Sequence, residues 1–128
     1  MKLSSFIPSL ALALLAGSCF AQKISKIKPG SADFRAIIQA VTPYANEHAA
    51  HPVRVKGDLL RKSGDWAFLV SRMDFINPTY KGDGELMALL KKGRRWTIRE
   101  ITVGSGGMED MAADWEKKHK LPKGLVAK

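Results

Sequence analysis

The sequence predicts an α+β domain, with a long N-terminal helix packed on a four-stranded antiparallel meander and a second helix near the C-terminus. Three patterns carry that prediction. Phe34, Ile37, Ile38, Val41, Ala45 and His48 recur on one face of a 3.6-residue period. Four later segments alternate with period two between glycine-containing turns. A closing segment holds acids at its start and bases at its end, the order a helix dipole favours.

The chain opens with Met1-Lys2, an apolar run from Phe6 to Leu15, and a small-residue tail ending Cys19-Phe20-Ala21. That is the organisation of a secretory signal peptide, and the run is shorter than the roughly 20 residues a helix needs to span a bilayer. Residues 1–21 are therefore assigned to a signal, 22–30 to a flexible basic arm, and 31–128 to a single α+β domain. The mature chain is expected to be secreted or periplasmic, with no transmembrane segment. Leu15-Ala16-Gly17-Ser18-Cys19 also approximates a bacterial lipoprotein box with one residue too many; in that alternative Cys19 is lipidated and anchors the chain. Cys19 is the single cysteine, so a chain cleaved after Ala21 folds on its apolar core without disulfides.

The first helix is expected to start near Ser31 or Ala32 and to end before Pro52. Pro43 interrupts it, because an interior proline loses a hydrogen bond and crowds the preceding turn. Either the helix kinks there, or Thr42 caps a second short helix. Val53–Arg61 reads as one alternating strand, followed by a turn at Lys62-Ser63-Gly64-Asp65. Trp66–Met73 is apolar on both faces, as a central strand covered on each side would be. Trp66 and Phe68 are expected to pack under the first helix against Ile37, Ile38 and Val41. Asp74–Gly84 carries loop residues, and Glu85–Lys91 and Arg95–Val103 form the last hairpin around Lys92-Gly93-Arg94. Trp96 and Ile98 share one parity and Ile101 and Val103 the other, so a bulge is expected near Arg99-Glu100. The last helix spans roughly Met108–Lys118, with Met108, Met111, Ala112 and Trp115 on its apolar face.

Helix, meander, helix in this order resembles the cystatin-like architecture shared by nuclear-transport-factor-two-like cone folds. The runs Asp65-Trp66-Ala67-Phe68, Leu89-Leu90-Lys91-Lys92 with Arg95-Trp96, and Asp114-Trp115 before Pro122 resemble uncharacterised small secreted proteobacterial proteins. The resemblance covers most of the chain beyond residue 21. Its motifs mark turns and core, so it implies a fold and no catalytic residues. The segment 74–84 is shorter than the corresponding loop of those proteins.

Lys and Arg number 21 against 12 Asp and Glu, a formal charge of +9. Such a field attracts an anionic envelope polymer, anionic lipid or an acidic protein surface; nothing in the sequence favours nucleic acid. Lys91, Lys92, Arg94 and Arg95 cluster around one glycine turn, with Trp96 beside them for stacking or for the core. Phe75 and Tyr80 flank a loop suited to a protein contact. Tyr44, Asp74 and Glu100 are the polar residues that would line a helix–sheet pocket.

Other motifs are weaker. Gly104-Ser105-Gly106-Gly107 precedes a helix but lacks the lysine of a P-loop, and Glu109 and Asp110 would repel an anion there. His48 and His51 have no third ligand nearby in sequence, and Asp83-Gly84-Glu85 lacks the remaining ligands of a calcium loop. No nucleophile elbow or zinc-hydrolase motif is present, and no cofactor is expected. The expected function is that of a non-catalytic binding domain for an anionic envelope component or a protein. The alternatives are a small cone-fold enzyme and an inhibitor or immunity protein.

The signal organisation predicts a mature N-terminus at Gln22, which intact-mass measurement of the exported protein checks. A diacylglycerol adduct on Cys19 would contradict it.

Overall fold

The computed structural model describes residues 23–81, 84–104 and 107–126; the expected signal and the junction at Gln22 lie outside them. The described residues form two helices and an antiparallel sheet of six strands. In chain order these are β1 (Ser25–Lys26), α1 (Ala32–Glu47), β2 (Val53–Val55), β3 (Leu59–Ser63), β4 (Trp66–Phe75), β5 (Gly84–Lys92), β6 (Trp96–Gly104) and α2 (Met108–His119). The strand order is β1-β3-β4-β5-β6, with β2 paired to the far end of β4.

Helix α1 begins where its sequence provides a cap. The Ser31 hydroxyl accepts the Phe34 backbone N–H at 3.2 Å, and Asp33 lies in the first turn. One helix runs through Pro43, without the second capped helix considered as an alternative. An interior proline costs about 3 kcal/mol, but Ile37, Val41 and Ala45 are fully buried on both sides of it. Their burial offsets that cost.

The expected strand Val53–Arg61 is two strands. Val55 pairs with Met73 and Leu59 with Val70, so three residues on one side face two on the other. This β-bulge reverses the alternation. Val53 and Val55 face α1 before it, and Leu60, not Leu59, faces α1 after it. Gly57, at φ +80°, makes the bend, and its N–H donates to the Ser71 hydroxyl at 2.7 Å. A Cβ there would lie 2.6 Å from the Phe34 ring of α1.

The residues expected to trail as an arm are partly built into the sheet. Ser25 and Lys26 pair with Lys62 and Arg61, the Ile27 N–H donates to the Leu60 carbonyl at 2.9 Å, and Ile27 is buried. Ile27 supplies the apolar anchor that the surrounding lysines conceal in the sequence. With the bulge, this edge strand raises the expected four strands to six.

Strand β4 is central and covered on both faces, as its sequence indicated. The faces are assigned the other way round from the expectation, however. Ala67, Leu69 and Met73 join Ile37, Val41, Leu86, Ala88, Leu90 and Trp96 in the core beneath α1. Phe68 is buried on the opposite face with Met87, Leu89, Ala112 and Trp115, and Trp66 packs against that second core. Thus Trp66 and Phe68 do not pack under α1; because both faces are apolar, strand parity alone could not orient them.

The bulge in β6 falls where the phase change placed it. Leu89 pairs with Glu100 and Leu90 with Ile98, leaving Arg99 as the extra residue. Trp96, Ile98, Ile101 and Val103 thereby all face the first core. Helix α2 covers the other face through Ala112 and Trp115, whereas Met111, expected on its apolar side, is 43% exposed. Lys120, in the left-handed conformation, ends α2, and the Leu121 N–H returns to the Glu116 carbonyl at 3.1 Å. Leu121 and Leu125 then fold back into the second core.

Gly57→Ala is expected to destabilise the fold by roughly 1–3 kcal/mol, from the left-handed backbone and the Phe34 contact together. Urea denaturation checks this; an unchanged midpoint would mean that the bulge is not fixed by α1.

Candidate functional site

The basic hairpin lies at the β5–β6 turn, where Lys92 pairs with Trp96 across Gly93, Arg94 and Arg95. Its four predicted cations have two different roles. Lys92 Nζ is 3.2 Å from Asp33 Oδ1, and Lys91 Nζ sits 4.8 Å from the centre of the Trp66 ring. Arg94 and Arg95 are exposed, and so is Arg99, which the β6 bulge adds to the group. Lys91, Lys92, Gly93, Arg94, Arg95, Thr97 and Arg99 line a shallow depression of about 470 Å³. Among the described residues, no carboxylate lines it.

Asp33 organises the inner side of this hairpin. Its carboxylate accepts the Trp96 indole N–H at 3.1 Å, and the ammonium groups of Lys92 and Lys62 lie 3.2 Å away. The Trp96 hydrogen bond, followed by the contacts from Lys92 and Lys62, outweighs partial burial and lowers Asp33 from the usual 3.8 to about 2. Trp96 is buried in the first core, so it is not available to stack on a ligand. The half-exposed aromatic near the hairpin is Trp66, with Lys91 over its ring and the His119 ring 5.4 Å away.

Tyr44, Asp74 and Glu100 do not converge. Tyr44 is on α1 and stacks on His48 at 4.3 Å. Asp74 pairs with Lys56 at 3.3 Å, near the end of β4. Glu100 pairs with Leu89, which in turn pairs with Phe68 on β4. Asp74 is therefore about 20 Å farther along the sheet, at roughly 3.3 Å per residue. Glu100 is engaged with the end of α2, its Oε2 lying 2.8 Å from Lys118 Nζ and 2.7 Å from His119 Nε2. The Lys118 contact and then that of His119 hold its carboxyl below the usual range.

The 75–80 loop closes on His51. The His51 ring stacks on Tyr80 with centroids 3.6 Å apart, and meets the Phe75 ring edge-to-face with centroids 5.9 Å apart. Phase and spacing gave no signal for this, because the contact joins two loops. Ile76 is 53% and Tyr80 40% exposed. Both His48 and His51 are thus engaged in ring contacts. No cluster of three or more metal-ligating side chains occurs among the described residues. Asp83, Ser105 and Gly106 of the two weaker motifs lie outside them.

Sequence reasoning missed a cleft between α2 and the sheet. Leu59, Phe68, Val70 and Met87 form its floor, and Met108 and Ala112 line the helix side. Arg61, Glu85, Glu109 and Glu116 also line it, and its volume is about 580 Å³. The Arg61 guanidinium donates to the carbonyls of Gly124 and Leu125, both at 3.0 Å, holding the C-terminal segment against the sheet.

No protein-family model matches this chain, and neither a curated protein nor a solved structure matches it.

Asp33, Glu100 and Asp58 all ionise more readily in the folded chain; for Asp58 the Arg72 side chain and then its backbone N–H are the cause. Their contribution to stability is complete above the usual carboxylate range and declines as the pH falls below about 4. The Asp33 part is gone once the pH passes below about 2. That part is worth about 1–2 kcal/mol after allowing for partial exposure. Urea midpoints at stepped pH check this; a flat profile between neutral pH and pH about 2 would contradict it.

Proposed function

We propose that the chain is a secreted or periplasmic, non-catalytic binding domain that contacts an anionic envelope component through the β5–β6 hairpin. The observation that carries this reading is the depression that, among the described residues, is lined by five cations and no carboxylate. Lys91 and Lys92 are held by Trp66 and Asp33. This leaves Arg94, Arg95 and Arg99, side chains suited to paired contacts with phosphate or carboxylate. The dispersed positions of Tyr44, Asp74 and Glu100 support binding over acid–base catalysis. The long helix lying across an antiparallel sheet is compatible with a cystatin-like architecture, which belongs to the same proposal. Exposed Ile76 beside Tyr80 favours a second reading, in which the 75–80 loop meets a protein partner.

The test is Arg94→Gln/Arg95→Gln/Arg99→Gln, which spares the Lys92–Asp33 pair. Binding to vesicles containing phosphatidylglycerol, and to heparin, is titrated at two ionic strengths. The native protein is expected to bind and to weaken with salt, and the variant to bind at least about tenfold more weakly. Equal binding by the two proteins, or none by the native one, would overturn the hairpin as the contact.

A further inference from the structure

We propose that the cleft between α2 and the sheet binds a single-chain amphiphile with a cationic head group. At about 580 Å³, the cleft falls within the range of small-molecule sites, roughly 300–1,000 Å³. Its floor of Leu59, Phe68, Val70 and Met87 offers a hydrocarbon chain an apolar surface without a titratable group. The rim gives the charge. The chain carries +9 overall, with only 12 acids, yet Glu85, Glu109 and Glu116 all line this one cleft. Arg61, the one cation lining it among the described residues, is directed to the carbonyls of Gly124 and Leu125. Among the described residues the lining thus holds three carboxylates to one guanidinium, against the basic excess of the chain as a whole. A cationic head at the mouth keeps its water on one side and meets carboxylates on the other, while an anionic head would be repelled. The general positive charge disfavours adventitious uptake of a cationic amphiphile, so saturable binding is diagnostic.

The probe is dodecyltrimethylammonium below its micelle concentration, with dodecyl maltoside as the neutral ligand of equal chain length. Binding is followed by calorimetry. One-to-one saturable binding is expected, about fivefold tighter for the cation. Glu85→Gln/Glu116→Gln, at two rim positions, is expected to abolish that preference and leave the neutral ligand unaffected. Ala113→Phe, at an exposed position lining the cleft, is expected to weaken both ligands. Absence of saturable binding by both ligands, equal affinities for the two, or a preference that survives the glutamine variant would overturn the proposal. The hairpin tip at residues 91–95 lies about 20 Å along β5 from Glu85, the substituted residue on that strand, so loss of vesicle binding and loss of amphiphile binding are separate results.

Discussion

One carboxylate ties the first helix to the sheet. Asp33 stands in the first turn of α1 and reaches Lys62 on β3, Lys92 on β5 and Trp96 on β6. The helix N-terminus favours the same negative charge that the two ammonium groups and the indole N–H favour. Three strands are thereby referenced to one end of α1, and the rest of that helix is laid on the core by Ile37, Val41 and Ala45. The apolar contacts supply most of the energy, but they are non-directional. The Asp33 contacts are directional and fix where the helix begins relative to the hairpin.

That constraint shapes the surface as well. Lys92 is paired with Asp33 and Trp96 is buried behind it, while Arg94 and Arg95 are exposed at the tip. The β6 bulge adds Arg99 to them while returning Ile101 and Val103 to the core. The opposite face has a different character. There α2 covers the sheet through Ala112 and Trp115 and leaves an apolar cleft beside them. One sheet thus carries a basic tip at one hairpin and an acid-rimmed groove under its second helix.

Local signals in the sequence were read most reliably. Ser31 at the start of α1, Gly64 in the β3–β4 turn and the parity change at Arg99 each depend on residues within a few positions of one another. The Gly57 bulge was hidden because Leu59 and Leu60 are both apolar, and either parity could be continued through them. Trp66 and Phe68 were placed on the wrong face for a similar reason: a strand apolar on both sides has no polar residue to orient it. Ile27 looked like part of a solvated arm because its neighbours are lysines. The Asp33 contacts, the His51–Tyr80 stack and the cleft join residues far apart in the chain, where periodicity carries no information. The basic cluster was visible as composition, but its division into held lysines and exposed arginines required the fold.

The Trp96 indole N–H provides the most direct measurement of the central contact. Its proton donates to the Asp33 carboxylate, so its NMR resonance should follow that group's titration. The expected result is a single step with a midpoint near pH 2, the value to which the contacts lower Asp33, absent in Asp33→Asn. A midpoint at the usual 3.8, or an indole resonance unchanged in Asp33→Asn, would contradict the role assigned to this carboxylate.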